Sequence, residues 1–166
     1  MKKRWISLYV ENEVGVLAKV AGLFSGKSYN LDSLTVGTTE DVTVSRMTIG
    51  AICDDATFEQ IKKQLNKFVE VIKVIDITDK DYYMNEILFI KLNNLNEEEK
   101  TEAFRIASAY KSKVVDYGFN SMLIESVQSD KRNNDLIKLM KTTFKNIEIV
   151  RGGSVAIESI NKSSMH

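Results

Sequence analysis

Apolar and polar positions alternate along this chain in two rhythms that follow one another in a fixed order. Residues 4–10, "RWISLYV", put Ile6, Leu8 and Val10 on one face, which is the period of a strand. Residues 15–25, "GVLAKVAGLFS", place Val16, Leu17, Val20, Leu23 and Phe24 at helical spacing, with Lys19 opposite. Two strand patterns, 29–37 and 43–52, then flank the turn-rich "GTTED". In the second of them Met47, Ile49 and Ala51 share a face, while Arg46 and Thr48 point the other way. Asp54 and Asp55 suit the start of a helix, and Phe58, Ile61, Leu65 and Phe68 continue it at three- and four-residue spacing. "VEVIKVIDI", 69–77, reads as a closing strand. The order strand-helix-strand-strand-helix-strand predicts a ferredoxin-like α+β domain, with two helices on one face of four antiparallel strands.

Residues 78–85, "TDKDYYMN", are polar and read as a linker. The same order then returns over 86–166. "EILFIKL" is a strand, and "NEEEKTEAFRIASAY" is a helix capped by Asn96 with Phe104, Ala107 and Tyr110 on one side. "KVVDY" and "FNSMLIESV" form a hairpin around Gly118. "DKRNNDLIKLMKTTF" is a helix with Leu136, Ile137, Met140 and Phe144 apolar. "IEIV" and "SVAIESI" are strands on either side of a turn at "RGG". The chain is therefore expected to hold two ferredoxin-like domains, 1–77 and 86–166, the second with an extra terminal strand.

Charge and composition narrow the function. Lysine plus arginine and aspartate plus glutamate number 23 each, so no net charge draws the chain to nucleic acid or anionic lipid. The apolar run behind "KKR" at 2–4 ends at Glu11, too soon for a secretory segment, and no stretch has the length of a membrane helix. A cytoplasmic location is expected. Cys53 is the only cysteine, and its alternating neighbours suggest a small buried apolar role. His166, the only histidine, is the last residue, which leaves little material for a triad or a histidine metal site. An enzyme acting alone is not the expected answer.

"AGLFSGKSYN" differs by one residue from the phosphate-cradling P-loop, yet its flanks are reversed: helix before, strand after. Gly26-Lys27-Ser28 thus falls at a helix C-terminus, whose carbonyls repel phosphate, and Gly26 reads as a left-handed helix end. The other end of that helix suits an anion. "YVENEVGVL" leads through Asn12 and Gly15 into its first turn, where free N–H groups can donate to a carboxylate. Two readings of Asn12 and Gly15 stay open: a ligand-binding amide beside a close backbone approach, or a plain helix cap and a tight turn. Asn30 lies at the opposite end of the helix, so only two antiparallel chains can bring both amides to one small ligand. Arg46 is open between a cross-chain partner and a solvated position.

The runs "ENEVGVLAKVAGLFSGKSYNLDSLTVG" and "TVSRMTI" resemble the N-terminal ACT domain of the acetolactate synthase small, regulatory subunit. The likeness continues through "QIKKQLNKFVEVIKV", returns as "IEIVRGGSVAI", and in layout spans the chain. It implies a non-catalytic partner of a large, thiamine-dependent catalytic subunit, which it activates and makes sensitive to feedback by valine. Thiamine diphosphate, Mg²⁺ and FAD then belong to that large subunit, none to this chain. The resemblance further implies a homodimer through the ACT domains. Valine is implied at the interface, held at Asn12, Gly15 and Asn30, with Val14, Val16, Leu17, Leu31 and Val36 as candidate lining. A free-standing ACT-domain amino-acid sensor that controls a different enzyme or a regulator is the alternative. Two departures stand out. Ser28 occupies the usual glycine position before Tyr-Asn, which implies an earlier helix end and a displaced Asn30, and no proline appears near Glu40. Residues 158–166 receive no role.

Overall fold

The computed structural model describes residues 1–25 and 29–160. Twelve elements follow in the order β1 (Lys2–Glu11), α1 (Val16–Ser25), β2 (Asn30–Thr38), β3 (Val44–Cys53), α2 (Asp55–Leu65), β4 (Val71–Asp76), β5 (Tyr82–Leu92), α3 (Glu97–Ala109), β6 (Lys113–Tyr117), β7 (Met122–Gln128), α4 (Asp130–Thr143) and β8 (Ile147–Glu158). They form two antiparallel sheets of the same topology, β2-β3-β1-β4 and β6-β7-β5-β8, so the ferredoxin-like pattern occurs twice. The reading of Gly26 and Ser28 falls outside the described residues.

In the first sheet β1 and β3 pair antiparallel from Lys2↔Cys53 to Glu11↔Val44. This register puts Ile6, Leu8 and Val10 beside Met47, Ile49 and Ala51 on the helix-facing side. Val16, Val20 and Phe24 of α1 and Phe58, Ile61 and Leu65 of α2 close over them. Asp54 caps α2, its side chain accepting from the Thr57 amide at 2.7 Å, and those hydrogen bonds hold its carboxyl below the usual aspartate range.

The opposite face is also buried, which the alternation does not foretell. Ser7 and Thr48 are fully enclosed, and Trp5 is 8% exposed. A methyl group at Gly50 would stand 2.7 Å from the Trp5 ring, so this pair fits only because residue 50 has no side chain. Part of that face meets the end of the chain: the Ser154 amide donates to Ser33 Oγ at 3.2 Å, and Thr35 Oγ1 donates to the Ser154 carbonyl at 2.8 Å.

The second unit packs Leu88, Ile90 and Leu92 with Met122, Ile124, Ala103, Ile106, Leu136 and Met140. Asn96 and Glu99 cap α3 reciprocally. Beneath α4 the buried Glu86 pairs with Arg151 at 2.5 Å and accepts from Asn133 at 3.2 Å, and Asn133 accepts from Ser126 at 2.8 Å. Each buried polar group here thus meets another, which is what makes such a network tolerable in a core.

Three expectations change. Tyr82–Asn85, read as linker, already form the start of β5. The "RGG" turn is absent, because β8 runs unbroken from Ile147 to Glu158 with Gly153 in a left-handed conformation (φ +84°), and among the described residues no extra terminal strand splits off. Phe104 lies outside the α3 core face, and Lys100 takes a buried position beside Ala103 and Ala107. The division of the chain shifts accordingly: Met1–Tyr83 and the segment from Ser154 onward make one unit, and Met84–Gly153 the other.

Gly50→Ala should lower unfolding free energy by about 1–3 kcal/mol through overpacking. Urea titration followed by emission of Trp5, the single tryptophan, measures this, with a red-shifted folded spectrum expected.

Candidate effector site

The site begins where β1 stops. The Asn12 amide N–H donates to the Thr43 carbonyl at 2.7 Å, the last backbone tie to the β2–β3 hairpin. Its side chain adds two more: Nδ2 donates to the Val42 carbonyl at 2.9 Å, and Oδ1 accepts from Ser45 Oγ at 3.0 Å. Of the two readings, the helix cap is therefore not how Asn12 is used. The side chain fastens the loop to the neighbouring hairpin, and its amide keeps one hydrogen and one lone pair toward solvent.

Gly15 turns the chain into α1 with φ +89°, a conformation that glycine adopts without strain, and an added methyl group there would meet nothing within 4 Å. The approach to the first turn of α1 is thus open. One turn on, Lys19 forms an ion pair with Glu70, whose carbonyl accepts from the Glu11 amide at 2.9 Å. The Lys19 hydrogen bond holds the Glu70 carboxyl below the ordinary glutamate value of 4.5. With a lowered folded-state pKa, this tie is present at neutral pH and is lost only as pH falls through that lowered value.

Asn30 stands at the far end. It opens β2 opposite Ile52, whereas Asn12 lies next to the Val44 end of β3. Eight strand residues separate the two, roughly 26 Å at 3.3 Å per residue. The structure does not bring them together within one chain. Of the candidate lining residues, Val16 is buried in the core and Leu31 packs against it, whereas Val14, Leu17 and Val36 are exposed. Of the P-loop-like stretch, Ala21–Ser25 close α1 and Asn30 opens β2, so a helix precedes and a strand follows; residues 26–28 lie outside the described residues.

A depression of about 430 Å³ beside Asn12 adds residues that sequence patterning did not single out: Glu11, Glu13, Val42, Thr43, Val44 and Ile72. Val42 and Ile72 are exposed aliphatic side chains. Val42 sits in a polar hairpin and Ile72 in an edge strand of mixed pattern, so no period marks either. Elsewhere Cys53 is buried, and burial pushes its thiol up against the opposing pull of Arg4, the environment of an inert core thiol. Among the described residues no helix is long and apolar enough to cross a membrane.

The AHAS small subunit-like ACT domain family matches residues 6–73, and the family described as small subunit of acetolactate synthase matches 85–160. An acetolactate synthase small subunit from Buchnera aphidicola is 37% identical over 95% of this chain and 98% of that protein. One from Aquifex aeolicus is 38% identical over 95% of this chain and 81% of its own length. The crystal structure of the small subunit from Thermotoga maritima superposes with a TM-score of 0.84 at 33% identity, covering 97% of this chain and 99% of that one.

Asn12→Ala should cost about 1–2 kcal/mol, because it leaves the Ser45 hydroxyl and the Val42 carbonyl without their shared partner. Hydrogen exchange at residues 12–16 should quicken, while exchange in β7 stays unchanged.

Proposed function

The chain belongs to the family of acetolactate synthase small subunits, and from that premise we propose that it is a regulatory, non-catalytic subunit that activates a large catalytic partner and makes it sensitive to valine. Thiamine diphosphate, Mg²⁺ and FAD are assigned to that partner, and the complex to the cytoplasm. One observation carries the effector site. Asn12 and the left-handed Gly15 sit at one end of α1 with an open approach, and Asn30 sits about eight strand residues away. A ligand the size of valine touches both amides only where two chains pack antiparallel. Its carboxylate is suited to the first-turn N–H groups, and the amides to its polar atoms. Val14, Leu17 and Val36, and Val42 and Ile72 in the depression beside Asn12, are exposed aliphatic groups available to its side chain.

The energetics are modest. Binding at metabolite levels, with Kd of ~10 μM to 1 mM, supplies roughly 4–7 kcal/mol. A difference of ~1–3 kcal/mol between active and inhibited states suffices for 5- to 150-fold coupling.

A mixing experiment tests the shared site. Asn12→Ala and Asn30→Ala homodimers should each lose valine inhibition in the reconstituted enzyme. Subunits mixed before assembly should recover it in part, because a mixed dimer has one site carrying both substitutions and one carrying neither. No recovery on mixing, or full inhibition of either homodimer, refutes the assignment.

A further inference from the structure

The second unit presents an aromatic cluster that its own core does not use. Phe104 of α3 packs against Tyr117 of β6, ring centroids 5.7 Å apart, and the two are 46% and 52% exposed. Phe119, at the tip of the β6–β7 hairpin, is 93% exposed.

That tip is held in place from three sides. The Gly118 amide donates to the Ser121 carbonyl at 2.9 Å, and the Leu95 amide donates to the Asn120 carbonyl at 2.8 Å. The ammonium of Lys100, itself buried, donates to the Phe119 carbonyl at 2.7 Å. It also lies 5.5 and 5.6 Å from the Tyr117 and Phe119 ring centres and pairs with Glu97 at 2.5 Å. Burying a lysine costs desolvation, and here it fixes a turn whose apolar side chain faces water. A rigid exposed aromatic of this kind is the form that binding hot spots take.

The charge on the α3 side of the cluster is acidic. Glu97, Glu98 and Glu99 fill the first turn of α3. Asp116 and Lys91 both border a depression of about 260 Å³ next to Tyr117, so the acidic character is concentrated on the α3 side. A two-fold contact between copies sets the same patch against itself and opposes these carboxylates, which disfavours a second copy. An arginine-bearing surface on a different protein fits, since guanidinium stacks on aromatic rings and pairs with carboxylates.

We propose that Phe104, Tyr117 and Phe119, with the acidic first turn of α3, form the surface on which the catalytic subunit docks through arginine side chains. This rests on the regulatory-subunit reading above, and the experiment separates the two. The full chain is titrated into an acetolactate synthase large subunit, and the concentration giving half-maximal activation is read. Activation by the wild type upholds the regulatory reading, and its absence overturns both. Given activation, Phe119→Ala should raise the half-activating concentration about 10-fold or more, with valine affinity by calorimetry unchanged. Glu98→Lys should raise it as well, and more at low salt than at high. Unchanged half-activation by both variants overturns the docking surface alone. So does a change confined to self-association in sedimentation, which makes the patch a contact between copies.

Discussion

Asn12 is pinned by its amide between a carbonyl and a hydroxyl of the neighbouring hairpin, and much of that end of the first unit depends on the tie. It fixes where β1 releases the chain and hence where α1 starts. The left-handed turn at Gly15 follows within three residues, too few to wander. On the far side of the same loop the Lys19–Glu70 pair fastens the first turns of α1 toward β4. The helix N-terminus is thereby held before any ligand arrives, so binding there loses little free energy to ordering a loop.

The sheet that builds this end also limits what one chain can do with it. β3 runs the full distance between the two asparagines, and a paired strand neither shortens nor bends by the amount needed to join them. Recognition of a small molecule by both amides therefore becomes a property of an assembly. In the proposed seam a ligand would act as a cross-link between chains, a direct physical route from a metabolite to a change in subunit packing. The second unit has the same topology, but it invests its buried polar groups differently. Glu86, Arg151, Asn133 and Ser126 satisfy one another inside, while Lys100 holds an outward-facing hairpin.

Periodicity made the helix-facing side of each sheet legible. Ile6, Leu8, Val10, Met47, Ile49 and Ala51 alternate because a pleated strand with one apolar face must alternate, and the core contains all six. The other face was hidden for the same reason: Ser7 and Thr48 read as outward polar residues, and only the tertiary packing reveals their burial. Phe104 leaves its expected place and Lys100, one turn earlier on the same stripe of α3, is buried instead, because the hairpin carbonyl at Phe119 gives the lysine a partner that no local pattern shows. "RGG" looked like a turn because two glycines permit one, yet strand pairing kept the segment extended. At the effector end, the three polar positions were readable as types at a spacing. The bonds of Asn12 to Val42 and Ser45 cross about thirty residues of sequence and lie beyond any window.

The path of β8 has a practical consequence. The chain leaves the second unit at Gly153 and from Ser154 belongs with the first, where its backbone is gripped by Ser33 and Thr35. The first unit is therefore not a continuous stretch of polypeptide, whereas the second, Met84–Gly153, is. A fragment cut near residue 83 surrenders its closing ribbon, and two side chains on β2 lose the backbone they were holding. Truncation thus disturbs the strand that begins with Asn30, so the behaviour of such a fragment reports on a loosened β2 as well as on a missing module.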